Sequence, residues 1–70
     1  MEDIQRRIGE TVREFRKTAG FTQDTFADRT GLNRAHVGEI ERGECNLTIQ
    51  TLKIIADALG LKIRDLVRDV

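Results

Sequence analysis

The sequence predicts an all-helical bundle. Three observations carry that expectation: proline is absent and glycine sparse, no segment alternates apolar and polar residues for long, and apolar residues recur three and four apart. Seventy residues make one domain, with no room for a second. The core is therefore small, and stability has to come from close helix packing helped by dimerisation.

The first element spans residues 3–18. Ile4, Ile8, Val12 and Phe15, spaced by four, four and three, form one apolar stripe, with Arg6, Arg7, Glu10, Arg13 and Glu14 on the wetter sides. Gly9 lies inside this helix at a cost of about 1 kcal/mol against alanine. It is either tolerated there or lets another helix come close. Gly20 ends the helix and Phe21 covers the turn.

Thr22 suits an N-cap for a short helix over about 23–29, whose apolar side is Phe26 and Ala27. Gly31 stands where the chain must leave that helix, in the left-handed conformation that glycine adopts cheaply. Asn33 caps a second helix over about 33–42 that carries Val37 and Ile40 inward, and Gly43 closes it. Counting Gln23 as first, Ala27 is fifth, Gly31 ninth, Val37 fifteenth and Ile40 eighteenth. That register suits a helix-turn-helix: a small residue where the helices cross, glycine at the corner, branched anchors beneath the second helix.

After a loop at residues 44–47, Thr48 caps a helix carrying Ile49, Leu52, Ile55, Ala56 and Leu59, which Gly60 stops. A last short helix at about 63–69 carries Ile63, Leu66 and Val67, with Val70 beyond it. These two helices hold more apolar residues than one stripe needs. Ile54, Ile63, Val67 and Val70 are therefore expected to form a homodimer interface, with residues 49–70 as the dimerising part.

Charge sets a constraint on function. Twelve Lys and Arg balance twelve Asp and Glu, so composition alone does not suggest nucleic acid, and attraction to it has to come from a few placed arginines and amides. The sequence shows no long apolar run, signal peptide or membrane span, so no membrane partner is expected. A single cysteine cannot form an internal disulfide, which fits the cytoplasm. One His and one Cys make no metal site, and no nucleophile–base pair, carboxylate dyad or phosphate loop stands out. Neither an enzyme nor a cofactor is expected.

Arg16-Lys17 through Gly20, Thr22-Gln23, Phe26-Ala27, Gly31 and Glu41-Arg42-Gly43 resemble the XRE family, the lambda-repressor and Cro-like DNA-binding domains, over nearly the whole chain. More narrowly, LNRAHVGEIERGECNLTIQTL at 32–52 resembles the controller proteins of bacterial restriction–modification systems, which are small dimeric regulators. His36 and Cys45 depart from that narrower pattern, which often has an aromatic and a basic residue there. Cys45 so forfeits a DNA contact and leaves an exposed thiol.

The resemblance implies a compact five-helix lambda-repressor-like bundle whose second motif helix enters the major groove of double-stranded DNA. Arg34, Ala35, His36 and Glu39 become candidates for base contact. Arg34 leads, because its guanidinium can bond guanine O6 and N7 together; Ala35 would pack on a thymine methyl, and Glu39 would accept from cytosine N4. Gln23, Arg42, Asn46 and Thr48 become phosphate contacts, and Asn33 either caps its helix or also meets phosphate. Glu41 projects toward the core, where a lone carboxylate is costly, and the family sets an arginine, here Arg16, against it. The implied protein is a cytoplasmic homodimer, bacterial or phage-encoded, on a near-palindromic operator, with RNA polymerase a further partner if it activates. The alternative is an antitoxin-like module whose main ligand is a partner protein.

Overall fold

Five helices follow one another among the described residues: α1 (Ile4–Thr18), α2 (Gln23–Thr30), α3 (Arg34–Arg42), α4 (Ile49–Leu59) and α5 (Ile63–Val67). The computed structural model describes residues 3–68 and 70. Asp69, where the last helix was expected to end, lies outside them, as do the first two residues of the expected 1–70 domain. Arg68 caps α5 after Val67.

Each start has a local cause. The side chains of Asp3, Thr22, Asn33 and Thr48 accept from the backbone amides of Arg6, Thr25, His36 and Thr51, satisfying donors that have no partner inside the helix. At Thr22 the bond is returned, because the Thr25 hydroxyl accepts from the Thr22 amide at 2.9 Å. Helix α2 runs one residue beyond the expected Arg29, and the hydroxyl of that last residue, Thr30, donates to Phe26 O at 2.9 Å. Asn33 stands outside α3 as its cap rather than as its first residue.

The core comprises Ile8, Val12, Phe26, Ala27, Val37, Ile40, Leu52, Ile55, Ala56 and Leu66. Phe26 is its largest fully buried side chain, and Phe21 tilts against it with ring centroids 5.6 Å apart. Helix α1 crosses α3, α4 and α5, and α2 lies against α3 and α4. At Gly9 the close-approach reading is the one that holds: a Cβ there would stand 2.2 Å from Ile40 O and 2.8 Å from Glu41 O. Gly43 is required twice over, by a φ of +72° and by Arg6 Cα, which a Cβ would meet at 2.6 Å.

Burial sets apart three of the residues singled out from the sequence. Ile63 and Val67 are half-buried and packed on their own core, because the five-residue α5 lies between α1 and α4 and buries more than one of its sides. Of the four expected interface residues only Ile54 and Val70 are exposed, joined by Ile4 and by Ile49, which is 68% exposed. Cys45 was expected to expose its thiol; it is half-buried, because the loop after α3 folds back onto the core.

Candidate nucleic-acid interface

Helix α3 is a two-sided element. Val37, Gly38, Ile40 and Glu41 are buried, while Arg34, Ala35, Glu39 and Arg42 are exposed and His36 is half-buried. Successive residues turn by 100°, so the four exposed side chains form one arc running from the first turn to the last. Gly38 lies under this arc, since a Cβ there would come within 2.9 Å of Arg42 Nη1.

What fixes the helix is a buried ion pair. Arg16 Nε donates to Glu41 Oε2 at 2.7 Å and Nη2 donates to Oε1 at 3.1 Å, with only 7% and 3% of the side chains exposed. The third guanidinium nitrogen, Nη1, donates to Phe21 O at 2.8 Å. A fork of this kind matches the plane of a carboxylate and fixes direction as well as distance. Gln23 Nε2 also donates to Glu41 Oε1, at 3.1 Å. One carboxylate of α3 thus ties in α1 and the first residue of α2. Among the described residues no buried side-chain nitrogen or oxygen is left without a partner.

The residues read as phosphate contacts are placed unequally. Gln23, Arg42, Arg13, Arg16 and Glu41 line one open cleft of about 450 Å³. An amide nitrogen carries two protons, so the bond to Glu41 leaves Gln23 a second donor. Asn33 caps α3 with its side-chain oxygen, at 2.7 Å from His36 N, which leaves the amide nitrogen as a donor on the exposed surface. Arg42 Nε donates to Glu44 Oε1 at 2.9 Å. Asn46 lies further off along the chain, where its Oδ1 accepts from Gln5 Nε2 of α1. Thr48 spends its hydroxyl proton on Thr51 Oγ1, at 3.0 Å, within its own helix cap.

Three charged residues of this surface escape a sequence reading. Arg13 enters the cleft because it precedes Arg16 by one helical turn, a signal present in the spacing but submerged among the other charges of α1. Asp24 pairs with Arg34, Oδ1 to Nε at 2.8 Å, between the first turns of α2 and α3. Glu44 pairs with Arg42, two residues before it. Burial, and then the nearby charges of Glu39 and Glu44, push the Cys45 thiol up from its ordinary pKa, so it stays protonated. Among the described residues no three His, Cys, Asp or Glu side chains form a metal-holding group, and no helix is long and apolar enough to cross a membrane.

An exposed, mostly charged arc on a helix anchored from behind, preceded by a shorter helix and a glycine corner, is the geometry of a helix-turn-helix. The family model described as helix-turn-helix matches residues 12–66. The chain belongs to the XRE-type helix-turn-helix family. Within that family it is similar to the control protein C.SmaI of Serratia marcescens, 38% identical over 87% of this chain and 73% of that protein. It is 31% identical to the control protein C.MunI of a Mycoplasma species over 100% of this chain and 96% of the relative. The solved restriction–modification controller protein C.AhdI from Aeromonas hydrophila superposes with a TM-score of 0.85 at 35% identity, over 89% of this chain and 94% of that one.

Proposed function

We propose that this helix-turn-helix protein is a homodimeric transcription regulator of the controller type, acting in the cytoplasm on a near-palindromic operator. Residues 1–70 act as one DNA-binding domain, dimerised through the part from 49 to 70. The observation that carries the reading is the exposed arc of α3, with Arg34 in its first turn and the Arg16–Glu41 pair behind it. Each subunit sets α3 into a major groove, and the two half-sites lie about 34 Å apart. Arg34 reads a guanine through two hydrogen bonds, worth about 1–3 kcal/mol of discrimination. Ala35 meets a thymine methyl, Glu39 selects cytosine, and His36 flanks them. Gln23, Arg42 and the amide of Asn33 fix the helix on the phosphates, with Asn46 and Thr48 further out. Exposed Ile54 and Val70 contribute to the dimer contact together with the outer edges of Ile63 and Val67. The likeness to controller proteins supports this reading, and activation of a promoter would add a contact with RNA polymerase.

The test is selection from a pool of random duplexes, followed by gel shift with the Arg34→Ala variant. The expected result is enrichment of a two-fold symmetric sequence, and loss of preference for it in the variant at unchanged melting temperature. Failure to enrich any sequence, even at low salt, would refute the proposal.

A further inference from the structure

The pair between Arg34 and Asp24 joins the first turns of α3 and α2, with 2.8 Å between Nε and Oδ1. Both side chains stand mainly in solvent, 64% and 74% exposed, so this contact adds little to stability. Its position is what matters. Asp24 follows Gln23 at the N-terminal end of α2, the end at which a DNA phosphate would be held. A carboxylate there repels phosphate and cancels much of the Arg34 charge for any phosphate that approaches.

Cancelling charge does not block base readout. A guanidinium has five N–H donors in a rigid fork. The Asp24 carboxylate approaches this fork at Nε, the nitrogen nearest the chain, as an ion pair, and Nη1 and Nη2 lie at the far end of the guanidinium. Those are the donors that meet guanine O6 and N7 end on. We propose that Asp24 is a specificity-determining residue, whose carboxylate pairs with Arg34 at its Nε side, keeps it off phosphates of non-operator DNA and leaves its far end to meet a guanine. The inference rests on Arg34 as the base reader proposed above. It also gives a use to the balance of twelve basic and twelve acidic residues. Non-specific binding draws on unpaired positive charge, whereas an oriented bidentate contact does not need a surplus.

Asp24→Asn keeps the shape and removes the charge. Binding is measured by fluorescence anisotropy across a salt series, on the duplex selected by the natural protein and on a scrambled duplex of equal length. The expected result is tighter binding to the scrambled duplex, no gain on the operator, and a specificity ratio lowered about two- to five-fold. The dependence of log K on log salt should steepen by about 0.9 on the scrambled duplex, as one further phosphate contact requires. In an Arg34→Ala background, where the preference is already lost, the same substitution should raise affinity for the scrambled duplex by less than it does in the natural protein. An unchanged ratio in the single variant overturns the inference, and so does an equal gain in scrambled-duplex affinity in the Arg34→Ala background, which would make Asp24 a bare repulsive charge. If Arg34→Ala itself keeps operator preference, the proposed base reader fails and the inference with it. If Arg34→Ala loses preference while Asp24→Asn keeps the ratio, only the role of Asp24 is lost.

Discussion

Replacing Gly9 by alanine sets two effects against each other. Helix propensity favours alanine by about 1 kcal/mol in a helix interior. Packing opposes it, because the new Cβ would lie 2.2 Å from Ile40 O and 2.8 Å from Glu41 O, and real Cβ atoms stay beyond 3.0 Å. Both obstacles are backbone carbonyls of α3, which have no rotamer to escape into. Helices α1 and α3 would have to part by about 1 Å, and interiors packed to crystal density do not yield that locally. Overpacking costs about 1–3 kcal/mol where side chains can adjust, and this site belongs at the upper end. The net loss is then about 2 kcal/mol, from a total of about 4–10 kcal/mol for a chain of this size. At about 4–8 °C per kcal/mol, the melting temperature should fall by about 8–16 °C. Circular dichroism melts at 222 nm measure this, with both proteins at one concentration because a dimer's stability depends on it. A melting temperature equal to or above that of the natural chain would show that the two helices are not in contact as described.

Glu41→Gln should cost about 3–5 kcal/mol in urea unfolding, since it leaves the Arg16 charge buried against a neutral amide. A cost below about 1 kcal/mol would mean that water reaches the pair. Ile54→Lys removes an exposed apolar side chain of the proposed interface, so the variant should sediment as a monomer, where the natural chain is expected to be a dimer, while the helix content stays. A dimer that persists unchanged would move the interface elsewhere.

Most of the fold was legible in the chain because its causes are local. Thr22, Asn33 and Thr48 start helices by binding amides three residues on, and Gly31, Gly43 and Gly60 stop them in left-handed conformations; Asp3, expected inside the first helix, caps it instead. The register of Ala27, Gly31, Val37 and Ile40 rests on the same short-range geometry. The candidate site was less legible. Helical spacing tells which α3 residues share a side, but not what each of them is bonded to.

By itself, then, the sequence determined five helices, the caps at Thr22, Asn33 and Thr48 and the side of α3 that turns inward, since each depends on residues three or four apart. Only the tertiary structure decided the rest. Gly9 is needed because α3 crosses α1 there, Ile63 and Val67 are half-buried because α5 lies between two helices, and Asp24 and Glu44 occupy the arginines of the exposed arc. Apart from the Arg42–Glu44 pair, these contacts join residues in different helices. Helical periodicity carries no record of them, because they exist only once the helices have docked.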